Sequence, residues 1–297
     1  MKIFLTDAIG FIGSKLVSEL VNAGHQVLVL TRSDAGAHQL IAAGAEAYRG
    51  DLEDLNSLRA GAAKCDGVIH TAFDHNFANY IANCDKDRRA IEALGAALEG
   101  SNRPFVITST TLFGEAIPGQ LADEDIFNAE HPNPRVKSEI VAQTMIERGM
   151  NVSLVLLSQI HDTHRQGLVT FLVQLAQQTG RSAYIENGGN RWSTAHVSDT
   201  VHLFRLAIEK QIVGAHYHAT VEEGVSVREI AETIGRRLNL PILSLPQEQA
   251  EAHFGWLTGF VSKNMIASSE KTKKRLNWKI TAPKLLTDLS NLSTDHS

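Results

Sequence analysis

The sequence predicts an α/β fold in which helices cover both faces of a doubly wound parallel sheet. The first observation is a series of short apolar segments at 2–6, 26–31, 45–49, 67–71, 104–109 and 151–157. The second is a series of helix-like segments between them, with apolar residues on one face, at 11–23, 34–43, 83–99 and 135–148. Strands that are apolar throughout and alternate with helices are typical of a parallel sheet buried on both faces.

Composition and charge exclude several classes of protein. The chain is 43% hydrophobic and 21% charged, which is typical of a globular protein, and its net charge of −5 argues against nucleic acid held by bulk charge. The apolar segments are shorter than the roughly 18 residues of a membrane span, and the N-terminus is typical of a first strand. Cys65 and Cys84 form no disulfide framework or zinc pattern. We therefore expect a reduced, cytoplasmic protein without a metal, a nucleic acid or a membrane as partner.

A glycine-containing turn, Thr6-Asp7-Ala8-Ile9-Gly10-Phe11-Ile12-Gly13, joins the first strand to the first helix. The spacing of Gly10 and Gly13 lets the backbone approach a diphosphate and lets the helix pack closely on the sheet. The amide groups at the start of the helix supply an anion site. The turn therefore predicts a dinucleotide cofactor.

In this turn the chain resembles the extended or atypical branch of the short-chain dehydrogenase/reductase superfamily, which includes NAD-dependent epimerases and dehydratases. That family has the motif Thr-Gly-x-x-Gly-x-x-Gly, which Thr6, Gly10 and Gly13 match. The resemblance covers roughly residues 1–160 and continues more weakly to the end. We expect a Rossmann-like domain over 1–157 with later sheet elements from about 190–220, and an interleaved, smaller C-terminal substrate lobe over 158–297.

Asp7 departs from the motif because it stands at the first glycine. One interpretation is that its carboxylate caps the turn and the start of the following helix, where an acidic residue is favourable. The other interpretation is that the carboxylate faces the phosphates and repels them, which would weaken cofactor binding.

The end of the second strand bears on the choice between NADP and NAD. Thr31 stands where NAD-binding proteins carry an acidic residue, and Arg32 follows it. An arginine there accommodates the 2′-phosphate of NADP, and Ser33 adds a hydroxyl. We favour NADP, and Asp34 leaves NAD open. The resemblance implies further cofactor contacts at Phe11, Ile12, Asp51, Leu52, Thr71, Ala72, Ser158 and Gln159.

The resemblance also implies a catalytic group of Ser, Tyr and Lys, with the Lys four residues after the Tyr. Ser109 matches the Ser by its spacing to Gly114, and Lys137 matches the Lys, which would also bind the nicotinamide ribose. Asn133 stands four residues before Lys137, where the family has its Tyr. An amide cannot donate a proton at neutral pH, so the proton donor is unassigned.

Three other residues are candidates for the missing donor: His131, Tyr80 and Tyr184. Three further residues are candidates for contacts with a small-molecule substrate: Arg191, Trp192 and His161.

The favoured function is an NADP(H)-dependent oxidoreductase that acts on a small organic carbonyl compound or alcohol. A non-catalytic NAD(P)-binding sensor is the alternative from a different class, since both Asp7 and Asn133 favour it. An enzyme like the sugar-nucleotide epimerases and dehydratases is a third. The resemblance also allows a homodimer formed through helices 83–99 and 135–148.

Overall fold

The computed structural model describes residues 1–293, and the last four residues of the predicted lobe lie outside this range. The elements in chain order are β1 (Lys2–Leu5), α1 (Phe11–Asn22), β2 (Gln26–Thr31), α2 (Asp34–Ala42), β3 (Glu46–Arg49), α3 (Leu55–Ala63), β4 (Gly67–His70), α4 (Tyr80–Leu98), β5 (Phe105–Thr110), α5 (Val136–Glu147), β6 (Val152–Leu157), β7 (Gln159–His161), α6 (Leu168–Thr179), β8 (Ser182–Ile185), β9 (Arg191–His196), α7 (Val197–Lys210), β10 (His216–Ala219), β11 (Glu222–Ser226), α8 (Val227–Leu238), β12 (Ile242–Leu245), α9 (Gln247–Phe254), α10 (Thr258–Val261), α11 (Glu270–Leu276) and α12 (Leu285–Ser290).

The main sheet confirms the predicted Rossmann-like fold class. Its seven strands lie in the order β10-β6-β5-β4-β1-β2-β3, and every pair is parallel. Chain order reverses between β1 and β4, which are neighbours in the sheet. In sheets of this kind, ligands bind in the crevice outside the carboxyl ends of the strands at such a reversal. The glycine turn follows β1 and therefore lies in this crevice.

Helices cover both faces of the sheet because each carries a buried apolar stripe. One core combines Leu16 of α1, Leu40 of α2 and Phe204 of α7 with the sheet. The core on the other face combines Leu58 of α3, Leu94 of α4 and Met145 of α5 with it. The sheet is thus packed on both sides, and its strand ends are the surfaces left for a ligand.

The smaller lobe has its own sheets and core. A three-stranded sheet has the order β11-β9-β7, and β12 pairs with β8. Side chains from α6, α8, α9 and α12 pack around the buried Trp192. The chain passes between the main sheet and the lobe three times between β6 and β11, since β7 and β9 pair within the lobe, β10 then joins β6, and β11 pairs with β9.

Candidate cofactor and substrate site

A single large cleft runs along the carboxyl ends of the main sheet and continues beneath the lobe. Its volume is about 1390 Å³, whereas pockets for drug-sized ligands are typically about 300–1,000 Å³. The cleft therefore has room for a dinucleotide together with a small substrate. The predicted cofactor residues that line it are Thr6, Gly10, Phe11, Ile12, Arg32, Ser33, Asp51, Leu52, Thr71, Ala72, Ser158 and Gln159.

Asp7 organises the glycine turn. Its Oδ1 accepts hydrogen bonds from the amides of Ile9 and Gly10, each at 3.1 Å. A Cβ added at Gly13, which is buried beneath the turn, would collide with the main-chain oxygen of Asp7. Asp7 thus caps the turn, without a bond to the amides of α1, and the residue also lines the cleft. Its charge remains beside the helix start.

The first helix offers an anion site in spite of Asp7. No side chain caps α1, and both Phe11 and Ile12 line the cleft at its first turn. The first amides of a helix lack partners within the helix and favour negative charge. The residues present therefore fit a diphosphate at this point.

The far end of the cleft carries the predicted NADP residues. The Arg32 side chain is 81% exposed, and its guanidinium lies 3.7 Å from a carboxylate oxygen of Asp51. Ser33 caps α2 because its hydroxyl oxygen accepts the amide of Gly36 at 3.0 Å. Thr31 is buried. Arg32 is thus a cation at the cleft wall with its charge open to solvent.

A buried chain of hydrogen bonds ties the turn to the neighbouring strand and helices. Thr6 Oγ1 lies 2.9 Å from His70 Nδ1, and His70 Nε2 lies 3.0 Å from Asp87 Oδ1. The hydroxyl of Ser138 donates to Asp87 Oδ2 at 2.6 Å. Burial favours a raised pKa for Asp87, but the bonds from His70 and Ser138 and the charge of Arg135 lower it overall. This chain links β1, β4, α4 and α5 beneath the cleft.

The positions of Thr71 and Ala72 depend on the same series of buried hydrogen bonds. Their amides donate to Thr6 Oγ1 at 3.2 and 3.3 Å. Ser158, on the other side of the cleft, donates to the carbonyl oxygen of Ala219 at 2.6 Å. Gln159 accepts the amide of Leu168 at 2.9 Å. Each of these cleft residues is therefore positioned by a bond to another element.

Ser109 and Glu139 form a buried pair at the cleft wall. Ser109, at the end of β5, lines the cleft but is only 1% exposed, and Glu139 on α5 is 2% exposed. The Ser109 hydroxyl is hydrogen-bonded to Glu139 Oε1. Burial raises the pKa of the Glu139 carboxyl to about 8, although this bond and the charge of Arg135 oppose the rise. The carboxyl therefore keeps its proton at neutral pH.

Asn133 lines the cleft and is paired with Tyr80. The Tyr80 hydroxyl donates to Asn133 Oδ1 at 2.9 Å, and the same oxygen accepts the amide of Arg135 at 3.0 Å. Burial raises the pKa of Tyr80, partly offset by its bond to Asn133. The predicted site residue Asn133 is thus a hydrogen-bond acceptor for a tyrosine from α4.

The structure brings Arg135 into the cleft and leaves Lys137 outside it. The guanidinium carbon of Arg135 lies 4.0 Å from the centre of the Phe73 ring, and both residues line the cleft. Lys137 is exposed and is not among the lining residues. Lys137 follows Arg135 by two residues, so its side chain points roughly 200° further around the helix axis. Arg135 and Glu139 are four residues apart and share one face. The predicted ribose contact of Lys137 therefore has no support in this geometry.

The other two candidate proton donors, His131 and Tyr184, do not line the cleft. His131 Nδ1 accepts the amide of Asn133 at 3.1 Å, and its ring packs against Phe113. Burial and the charge of Lys263 lower the pKa of His131. Tyr184 lies in the lobe on β8, where Arg228 stacks on its ring. His131 thus caps a turn beside the cleft instead of lining it.

All three predicted substrate residues are placed elsewhere. His161 is buried, and its Nδ1 lies 2.6 Å from Asp288 on α12. Trp192 is fully buried in the lobe core, with its indole nitrogen 3.3 Å from the carbonyl oxygen of Lys263. Arg191 donates to the carbonyl oxygen of Gly224 at 2.6 Å and 2.9 Å. These predictions need correction, since the three side chains stabilise the lobe and do not line the cleft.

The lobe contributes an aromatic wall to the cleft instead. Phe171 of α6 lies edge-on to Trp256 with ring centres 5.1 Å apart, and Trp256 lies 6.0 Å from Phe260 in the same way. Trp256 is 52% exposed although it is large and apolar. Met265 completes this wall. Phe171, Trp256 and Phe260 were not predicted as cleft residues, because their positions follow only from the packing of the lobe.

Metal-ligand clusters and membrane-spanning helices are both absent from the part of the chain that the structure describes. Within 1–293, no three His, Cys, Asp or Glu side chains are grouped so that they could hold a metal ion. No helix in the same range is both long and apolar enough to span a membrane.

Comparison with known proteins identifies the family. Residues 8–181 match the NAD(P)H-binding family. The chain belongs to this family. An uncharacterized protein of Schizosaccharomyces pombe is 43% identical over 292 residues, which cover 98% of this chain and 99% of that protein. The 4-hydroxy-2-methyl-3-oxo-4-farnesyl-3,4-dihydroquinoline-1-oxide ketoreductase of Stigmatella aurantiaca is 26% identical over 276 residues, covering 86% of this chain and 80% of that protein.

Solved structures show the same fold. UDP-glucose 4-epimerase of Thermus thermophilus, in complex with NAD, aligns with a TM-score of 0.74 at 16% identity, covering 98% of this chain and 97% of that one. The family match and the curated relatives confirm the resemblance to the extended short-chain dehydrogenase/reductases. The protein is an NAD(P)-binding member of an oxidoreductase and epimerase-like family.

Proposed function

We propose that the protein is an NADP(H)-dependent oxidoreductase that interconverts a small organic carbonyl compound and its alcohol. The observation that carries the proposal is the single cleft that joins Arg32, the glycine turn and the Ser109 hydroxyl. Arg32 would hold the 2′-phosphate, and the amides of Phe11 and Ile12 would hold the diphosphate. The bound cofactor supplies the hydride for the carbonyl carbon.

The chain's own groups bind and orient the substrate. The Ser109 hydroxyl donates a hydrogen bond to the carbonyl oxygen, where negative charge develops during reduction. The aromatic wall of Phe171, Trp256 and Phe260 binds an apolar substituent and excludes water. This wall supports a carbonyl compound with an apolar or ring-bearing group over a sugar nucleotide. The related ketoreductase, named for a cyclic ketone, supports the same substrate class.

The test is a titration of the purified protein with NADPH and with NADH, followed by tryptophan fluorescence. We expect NADPH to bind at about micromolar strength and roughly tenfold more tightly than NADH, since one good charge-assisted contact is worth about 1.4 kcal/mol. Arg32→Ala should remove this preference and leave NADH affinity unchanged. Arg49→Ala is the matched control, because Arg49 is also exposed and lies outside the cleft lining.

The remaining outcomes decide between the alternatives. Oxidation of NADPH in the presence of a panel of aromatic and aliphatic carbonyl compounds would support the oxidoreductase. Tight NADPH binding with no turnover on any carbonyl compound would favour the sensor, which Asn133 and Asp7 make the second candidate. Failure of both dinucleotides to bind would contradict the proposal.

A further inference from the structure

The buried pair of Ser109 and Glu139 goes beyond the role of a hydroxyl that polarises a carbonyl group. Carboxyl groups are rarely buried without a cationic partner, and Glu139 instead bonds to a serine that reaches the cleft. The cleft holds an asparagine, Asn133, where the family's proton-donating tyrosine would lie. The hydroxyl of Ser109 is thus all that separates the buried carboxyl of Glu139 from a cleft that lacks the family's proton donor.

We propose that Glu139 acts through Ser109 as the proton source in carbonyl reduction and as the proton acceptor in alcohol oxidation. The proposal rests on the proposed function. Ser109 is the catalytic residue that touches the substrate, and Glu139 is a positioning residue that sets the direction of the serine's proton.

A serine hydroxyl carries a single proton, so it can donate in only one direction at a time. When Glu139 is protonated, it donates to Ser109 Oγ, and the serine's own proton is free to point into the cleft toward a carbonyl oxygen. When Glu139 is ionised, the serine must donate to the carboxylate, and its oxygen can only accept from the cleft. The protonation state of Glu139 therefore switches Ser109 between donor and acceptor toward the substrate.

The groups around Glu139 favour the neutral carboxyl at moderate pH. The charge of Arg135 acts on it from the start of α5, and burial outweighs this charge. On α4, the ionised Asp87 is satisfied by His70 and Ser138.

Among the other neighbours of α5, the Asp85 carboxylate of α4 interacts with the exposed Lys137 rather than with Glu139, and two further groups are neutral. The Tyr80 hydroxyl on α4 donates to Asn133, and the Cys84 thiol is buried with its pKa raised by burial. The neighbouring strand β6 contributes apolar Leu154 and Leu156.

The step balances with the reduced dinucleotide as the reductant. A hydride, carrying two electrons, forms the new C–H bond at the carbonyl carbon while the π pair of the C=O bond moves to oxygen. This oxygen takes the proton of Ser109, and Ser109 Oγ takes the proton of Glu139. After the alcohol leaves, water in the cleft returns a proton to the carboxylate through Ser109. The net reaction consumes one proton, one carbonyl compound and one reduced cofactor.

Two other polar groups of the cleft, Tyr80 and Arg135, are less suited to this role. The proton of Tyr80 is directed at Asn133 Oδ1 rather than at the cleft. Arg135 does not deprotonate in proteins. Ser109 is the wall hydroxyl with a buried acid directly behind it.

The decisive variant is Glu139→Gln, which keeps the shape and can still bond to Ser109 but has no proton to relay. The first readout needs no turnover: the infrared carbonyl band of a protonated carboxyl, in the protein with NADPH bound, should disappear as the pH rises through about 8 and be missing from Glu139→Gln. Circular dichroism and the NADPH affinity check that Glu139→Gln folds and binds the cofactor.

The second readout is the pH profile of kcat. In the wild type, reduction should fall and oxidation should rise as the pH passes through about 8, because reduction needs the protonated carboxyl. Glu139→Gln should lower kcat about 100-fold, flatten both profiles and leave KM nearly unchanged. Glu139→Asp should restore part of the pH dependence. Glu115→Gln is the matched control, since Glu115 is another buried carboxyl with a raised pKa that does not line the cleft.

The outcomes separate the relay from the proposed function. If the wild type reduces carbonyl compounds and Glu139→Gln keeps its rate and profile, the relay is wrong and the function stands. If Glu139 is ionised well below pH 8, the relay is also wrong. If the wild type itself turns over no carbonyl compound, the proposed function fails, and the relay fails with it.

Discussion

The two sides of the cleft are built by different kinds of interaction. On the sheet side, polar groups at strand ends are each hydrogen-bonded to a second element, as Thr6 is to His70 and Ser109 to Glu139. On the lobe side, Phe171 and Phe260 pack against the lobe core, and each of them meets the exposed Trp256 edge-on.

From this difference we expect the sheet side to determine the reaction and the lobe side to determine substrate selectivity. Hydrogen bonds are directional, so the sheet side can hold reacting atoms in fixed positions. Apolar contact is non-directional, so the lobe side can accept substituents of different shape. Changes on the sheet side should therefore affect rate or cofactor binding strongly, and changes on the lobe side should affect substrate affinity modestly.

The largest expected effect comes from Ser109→Ala. Loss of the hydroxyl should lower kcat for carbonyl reduction by about 100-fold or more, as removal of a donor to a developing oxyanion does, with NADPH affinity unchanged. Steady-state kinetics and NADPH titration measure the two effects. Ser153→Ala is the control, because Ser153 is a buried serine of the neighbouring strand outside the cleft. If Ser109→Ala still reduced carbonyl compounds at the wild-type rate, the reaction could not be assigned to the sheet side.

A smaller effect is expected from Asp7→Asn, also on the sheet side. The amide oxygen of Asn can still accept the amides of Ile9 and Gly10, so the turn should persist. Removal of the charge beside the helix start should strengthen NADPH binding about fivefold, since nearby charges interact by about 1 kcal/mol in water.

The gain from Asp7→Asn should shrink at high salt, because salt screens exposed charges. Asp54→Asn is the control, because Asp54 is also an exposed carboxylate that accepts two amides, at the start of α3 and outside the cleft lining. Weaker NADPH binding by Asp7→Asn would mean that the carboxylate holds the cofactor instead of repelling it.

The sheet side was largely predictable because its geometry follows from the order of the strands. Parallel strands direct their carboxyl ends to one edge, so the residues after β1, β2, β3, β4, β5 and β6 had to meet there. Thr71 and Ser158, from distant parts of the chain, accordingly line the same cleft. The role of Asp7 stayed open because it depends on where its carboxylate points, and the sequence pattern does not contain that information.

The wrong predictions concern site residues whose side-chain direction is set by tertiary packing. Lys137 was chosen by its place before an apolar helix, yet its side chain is exposed, and Glu139 is the residue of α5 that is buried against Ser109 of β5. A signal was available: Glu139 lies three residues after the buried Val136 and three before the buried Ala142, in the apolar stripe. On the lobe side, Trp192 alternates along β9 with the cleft-lining Ser193, and nothing in the sequence sets which of the two faces the core.

The smallest expected effect comes from Trp256→Leu on the lobe side. An aromatic pair contributes about 0.5–1.5 kcal/mol beyond its buried area, and Leu keeps part of the apolar contact, so KM for an aromatic carbonyl compound should rise only about threefold while kcat stays unchanged. An aliphatic carbonyl compound should be affected less. Ile41→Ala is the control, since Ile41 is an exposed apolar residue of α2 away from the cleft. A fall in kcat comparable to that of Ser109→Ala would show that the aromatic wall positions the reacting atoms, and the contrast between the two sides would no longer hold.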